Sequence, residues 1–226
     1  MAWIKQLLLS SVMLSIQLTI FYFSAGQAIN ARSWLFFIAS LLHYVSSVTA
    51  QYWLNPELLI QRLRVKREGS KTWDEVLMRV SNLTVLILIP LTAGLDVGRY
   101  YWSTLDIYYV GIGLVFFALS TVLINWAMWI NPFFEPTVRI QKDRGHTVIS
   151  GGPYKIVRHP GYLGGILYTL SAPLIIGSLY TFIPVAIYVL LIMLRTLLED
   201  RTLQRELEGY SEYTKQTKYR LFPWIW

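Results

Sequence analysis

The chain has 226 residues, of which 54% are of hydrophobic type and 15% are charged. Soluble domains run to about 45–50% apolar and about 25% charged residues, so a soluble globule of this size would lack the polar surface to cover its core. No cysteine is present, which excludes disulfides, thiolate metal sites and cysteine nucleophiles, and the net charge of +7 lies between apolar runs, which favours a membrane surface over nucleic acid.

A helix needs about 20 apolar residues to cross the hydrocarbon core, and it must be helical there because lipid cannot hydrogen-bond the backbone. Runs at 3–25, 33–54, 76–95 and 107–130 meet that length. The first is too long for a signal peptide and has no convincing small-residue cleavage site, so it is expected to be a retained transmembrane helix. Residues 55–75 are polar and mixed in charge. Asn55-Pro56 suits a helix start, and Leu58, Leu59 and Leu63 would then lie on the membrane surface, with no chemistry assigned. Gly111-Ile112-Gly113 lacks the third glycine of a dinucleotide fingerprint and is expected to serve helix packing. The fifth apolar region, 161–194, is too long for one span and short for two. Gly177-Ser178 lies near its middle with Pro173 and Pro184 on either side, which suggests two tightly joined helices.

The fold expected is therefore all-α, a polytopic integral membrane helical bundle of five to six transmembrane helices with a C-terminal hairpin. Residues 1–130 would supply four spans, and 131–226 the hairpin, the chemistry and a polar tail. Basic residues support this order. Arg62, Arg64, Lys66, Arg67 and Lys71 fall in the first polar connection. Arg139, Lys142, Arg144, Lys155 and Arg158 fall in the second, and Arg201, Arg205, Lys215, Lys218 and Arg220 in the tail. Fifteen of the 20 basic residues thus lie on alternate connections. The positive-inside rule makes those connections and both termini cytoplasmic, with six crossings. Trp3, Trp34, Trp53, Tyr100, Tyr101, Trp102, Trp126 and Trp129 sit near span boundaries, as interfacial belts do.

Polar residues concentrate in QKDRGHTVISGGPYKIVRHPGY at 141–162. Gly145, Gly151 and Gly152 let the backbone bend and approach a ligand. Pro160 disfavours helix at His159, which places His159 at a break before a membrane helix whose free N–H groups suit an anion. The same composition also describes an ordinary Gly/Pro loop. Arg195 and Glu199 are one turn apart on one helical face. They form a surface ion pair, or Arg195 holds a substrate carboxylate in its planar fork. His43 lies mid-span, either functional or bonded as a neutral ring to a neighbouring helix. His146 is loop surface or ligand. The three histidines are too scattered for a metal site, and no metal is expected.

Three strings in order carry a resemblance: GGPYKIVRHPGYLG at 151–164, RTLLEDRTL at 195–203 and GYSEYTKQTKYRLFPWIW at 209–226. On these the chain resembles the isoprenylcysteine carboxyl methyltransferases and the related phospholipid N-methyltransferases, most clearly from Asn131 onward. NPELLIQRLR at 55–64 resembles bacterial members less specifically. The resemblance implies S-adenosylmethionine as cofactor, bound without a Rossmann domain in a pocket at the cytoplasmic membrane face. It places Gln141 and His146, Thr147, Val148 and Ile149 at the cofactor entrance. Tyr154, His159, Pro160, Gly161 and Tyr162 would cradle the methionine and adenosine parts, and Glu199 would bind from the last helix. Arg195 would hold the reacting group of a lipid-linked or amphipathic acceptor drawn from the membrane lipids, a carboxylate first, a phospholipid amine or small thiol otherwise. No nucleic-acid partner is expected. The rival of another class is a non-enzymatic membrane protein such as a transporter or assembly subunit, which would favour ionisable residues near the midplane of several spans; here the ionisable groups crowd one face.

Overall fold

The computed structural model describes residues 2–26, 29–64 and 68–226. Lys66 and Arg67, counted above among the basic residues, lie outside the described residues. Eight helices are used below: α1 (Ala2–Ser24), α2 (Ala31–Leu54), α3 (Pro56–Arg62), α4 (Thr72–Tyr100), α5 (Tyr108–Ile130), α6 (Pro160–Ile176), α7 (Phe182–Glu206) and α8 (Tyr210–Gln216). There is no strand among the described residues. Five helices, α1, α2, α4, α5 and α7, are long and apolar enough to cross a membrane, and the chain is a multi-pass membrane protein.

The third span is longer than its hydropathy suggests, running from Thr72 to Tyr100 rather than from 76 to 95. Asp74 and Glu75 in its first turn favour a helix N-terminus. Arg99 at its other end donates to the carbonyls of Ser24 and Phe23 at the end of α1, 2.9 and 2.7 Å away. Charges that break an apolar pattern are thus absorbed by partners. Pro90 lacks an N–H to donate, and the helix around it widens into π turns at Thr84–Leu88 and Leu95–Tyr100.

Asn55 starts α3 as expected: its side-chain oxygen accepts from Leu58 N at 3.2 Å, and its amide donates to Met128 O at 2.9 Å. That second bond ties α3 to the end of α5 and turns Leu58 and Leu59 into the protein, both fully buried, rather than onto the membrane surface. His43 takes the structural option: its Nδ1 lies 2.9 Å from Thr121 Oγ1 on α5.

Helices α5 and α6 pack antiparallel through small residues. A Cβ on Gly113 would meet Ile175, one on Gly164 would meet Ile124, and Ser120 Oγ donates to Gly164 O at 2.7 Å. Gly111 has open space around it, so only one of the paired glycines serves packing. The α6–α7 hairpin turns at Gly177–Thr181, where the sequence suggested. With 17 residues, α6 rises roughly 25 Å, short of the ~30 Å hydrocarbon core. It reaches the hairpin end fully, since Leu105 N, just before α5, donates to Gly177 O at 3.0 Å. The shortfall is at the other end. There α5 continues to Ile130, beyond the level at which α6 begins, and residues 131–159 fold into the recess.

Candidate active site

That recess holds a cavity of about 230 Å³. All twelve residues singled out from the sequence line it: Gln141, His146, Thr147, Val148, Ile149, Tyr154, His159, Pro160, Gly161, Tyr162, Arg195 and Glu199. Helices α3 and α4 add Arg62 and Met78 to its wall. Leu203 and Leu207, at the end of α7 and just beyond it, and Tyr210 and Tyr213 on α8 add the rest of that side.

One wall is the Arg-His-Pro string. Gly152 opens it at φ 56°, and its backbone lies so close to α5 that a Cβ would sit 3.0 Å from Trp126 Nε1. Any other residue there would meet both the left-handed strain and the indole. The string then pairs with the C-terminal tail, Arg158 N donating to Tyr219 O at 2.9 Å and His159 N to Arg220 O at 3.0 Å. Asp200, fully buried, is the hub beneath it. Its carboxylate accepts from Arg158 Nη2 (3.0 Å), Gln204 Nε2 (2.9 Å), Tyr210 OH (3.0 Å) and Arg220 Nε (3.0 Å). His159 Nε2 lies 3.5 Å from the same group. Asp200 therefore orients His159 and the tail, while Glu199, one residue earlier, faces the cavity.

A second wall is the loop over 131–149. Glu135 takes both Nε and Nη2 of Arg139 at 2.9 and 3.1 Å, and Arg139 Nη1 also donates to Asp143 at 2.8 Å. Arg144 bridges to Glu57 on α3 at 2.8 Å. Gln141 is spent inside the loop: its amide donates to Phe133 O at 2.8 Å and its oxygen accepts from Arg144 at 2.6 Å. It holds the loop closed on itself. His146 packs on Phe133, with ring centroids 4.5 Å apart, and its Nδ1 accepts from Gln141 N. Burial, with Arg139 and Arg144 nearby, lowers its pKa to about 4, so the ring is neutral at pH 7. Burial raises the phenols of Tyr154 and Tyr210, and takes that of Tyr213 to about 12, so all three stay protonated. Tyr154 OH accepts from Asn131, and Tyr213 OH donates to Tyr154 O at 2.6 Å.

The third wall is where α6 faces α7. The Tyr162 hydroxyl donates to Glu199 Oε2, and its ring stacks on His159 with planes 1° apart and centroids at 5.6 Å. Among the described residues Glu199 has no cation within ion-pair distance. Arg195 lies over the Tyr162 ring at 5.0 Å, but its fork does not face Glu199. It faces Asp74 on α4, with Nε 2.6 Å from Oδ1 and Nη2 3.3 Å from Oδ2. The ion pair between Arg195 and Glu199, one of the two readings of that spacing, is thus replaced by one with a residue 121 positions away.

Sequence reasoning missed Asp74 and Asp200, and left Arg62 without a role. Asp200 stood in the acidic pair at 199–200, and the Arg195-to-Glu199 spacing picked only the cavity-facing member. Asp74 carried one signal, an acid at the start of an apolar run, which reads equally well as a helix N-terminal charge.

No curated protein matches the chain. Residues 108–208 match the family model described as phospholipid methyltransferase, a stretch that runs from the start of α5 to just past α7 and includes most of the cavity wall. Arg62, Asp74 and Met78 lie before that stretch, and Tyr210, Tyr213 and Arg220 lie after it. Over residues 108–208 the chain is similar to membrane methyltransferases.

Proposed function

We propose that the chain is an S-adenosylmethionine-dependent methyltransferase whose acceptor is a lipid-borne nucleophile reaching the cavity from the membrane. The observation that carries this is Glu199. It is a carboxylate on a cavity wall whose partner among the described residues is a hydroxyl, flanked by the stacked rings of His159 and Tyr162. A cationic sulfonium donor suits such a site. Glu199 offers the counter-charge, the aromatic faces offer cation–π contact, and Val148, Ile149, Leu203 and Leu207 offer apolar walls. When bound, the cofactor supplies an electrophilic methyl group, and the protein's part is alignment and exclusion of water.

The chain's own residues would divide that work. Asp200 holds His159 and the tail in place, so the Arg-His-Pro wall is tied to the tail. The paired loop over 131–149 covers the donor from water. Tyr162 fixes Glu199 through Oε2, and Oε1 remains for a ligand cation or for the proton an amine acceptor must lose. The polar approach to the cavity carries the basic residues of the alternate connections, which supports a cytoplasmic opening.

A phospholipid amine suits this wall best, because Arg195 pairs with Asp74 while Glu199 has no ion-pair partner among the described residues. A carboxylate acceptor, as in isoprenylcysteine methylation, is favoured by one contact: among the described residues Arg195 Nη1 donates to Met78 Sδ, at 2.6 Å, and a thioether is a weak acceptor. Purified protein in nanodiscs, given methyl-labelled S-adenosylmethionine, would be offered phosphatidylethanolamine vesicles and, separately, a farnesylcysteine. Label in the phospholipid is expected; label in neither, with a folded protein, would remove the proposal.

A further inference from the structure

Arg195 meets the cavity with its guanidinium already engaged. Besides the two contacts to Asp74, Nη2 donates to Pro136 O at 2.5 Å. Asp74 is fully buried, and its Oδ2 also accepts from Val138 N at 2.7 Å. One carboxylate thereby joins α4, the covering loop and α7 at the edge of the cavity. It comes from before the stretch that matches the methyltransferase family model.

We infer that Asp74 is a positioning residue that holds the Arg195 fork at the acceptor wall and, by filling it, keeps carboxylates out. The inference rests on the methyltransferase reading, which puts the acceptor on the Arg195 side of the cavity. A guanidinium binds a carboxylate well through two parallel N–H groups on one edge. Asp74 takes the Nε–Nη2 edge, and Pro136 O takes a donor from the other. An incoming carboxylate would gain a single charged hydrogen bond and would face the negative charge of Asp74 across the guanidinium. A neutral amine meets neither obstacle. Asp74 therefore decides which charge the acceptor end tolerates, and Arg195 serves as the platform over Tyr162 rather than as a clamp.

The Asp74→Asn variant separates this from a merely structural ion pair. Asparagine keeps the size and can still accept from Val138 N, but it no longer occupies the fork as a carboxylate. Radiolabelled octanoate serves as the carboxylate probe, with binding read by equilibrium dialysis on full-length protein in nanodiscs. Asp74→Asn is expected to bind it about tenfold more tightly than wild type, and Asp74→Asn/Arg195→Gln is expected to lose the gain. Unchanged octanoate affinity in a folded Asp74→Asn would overturn the inference. Should that variant not fold, wild type and Arg195→Gln carry the test. Equal affinities support a filled fork, and a wild type about tenfold tighter than Arg195→Gln overturns it. S-Adenosylhomocysteine binding on the same samples reads the methyltransferase assignment separately. Its absence from wild type overturns both proposals, whereas its retention without any octanoate gain overturns the role of Asp74 alone.

Discussion

The two ends of the bundle both bury charge, and they use it differently. At the hairpin end, Arg32 donates to the carbonyls of Leu105, Leu174 and Ile175 at 2.6, 2.9 and 2.8 Å, closing the C-terminal end of α6. Asp96 accepts from Ser103 N, Ser103 Oγ, Ser178 Oγ and Tyr180 N. Those groups satisfy backbone that lipid could not. At the other end the charges also pair, but they converge on a cavity, and among the described residues Glu199 is left with a hydroxyl. Burial of charge is therefore no mark of chemistry in this protein. Under the proposed function, a charge that faces a void with no ion-pair partner among the described residues is.

The sharpest way to test that contrast is to remove a hub and a cavity-facing group side by side. Asp200→Ala should do the most damage, because it strands the buried Arg158 and takes a partner from the half-buried Arg220. A loss of about 3–5 kcal/mol is expected, read as a collapse of the thermal transition in nanodiscs. Glu199→Gln should instead leave the melting transition within about 0.5 kcal/mol of wild type while weakening S-adenosylhomocysteine about 10- to 100-fold. If the two variants behaved alike, the difference drawn between neighbouring acids would be wrong.

The hairpin end should give the reverse pattern. Arg32→Ala is expected to cost about 1–3 kcal/mol by leaving helix-end carbonyls unpaired, with cofactor affinity unchanged. A parallel fall in affinity would mean that the two ends are coupled. The last effect appears only in acid. His146 has a folded pKa of about 4 against an ordinary 6.5, so the unfolded chain takes up the proton first as pH falls. The stability it contributes is complete above pH 6.5 and is lost progressively towards pH 4. Asn at this position should flatten that part of a stability-versus-pH curve, and an identical acid slope in His146→Asn would remove His146 as its source.

The helices and the cavity wall were legible in the sequence to different depths. Apolar runs located α1, α2, α5 and the hairpin because lipid demands length and polarity that few residues can disguise. Gly-Pro-Tyr and Arg-His-Pro located the cavity because a proline break and a left-handed glycine are local requirements. The rotation of α3 was not legible: Leu58 and Leu59 look alike on a membrane surface and in a core, and long-range bonds such as that of Asn55 to Met128 decide between them. Nor was the partner of Arg195. A side-chain pair separated by 121 residues leaves no spacing to read, while Glu199 one turn away offered a plausible and wrong counter-ion.

Under the proposed function, the cavity beneath the 131–149 loop binds S-adenosylmethionine through Glu199 and the His159–Tyr162 stack. Calorimetric titration of the nanodisc-embedded protein with S-adenosylmethionine tests it without any knowledge of the acceptor. One saturable site per chain, weakened about tenfold or more in both Glu199→Gln and His159→Ala, is the expected result. A wild-type protein that is folded and takes up no S-adenosylmethionine, or variants that bind it as tightly as wild type, would contradict the account.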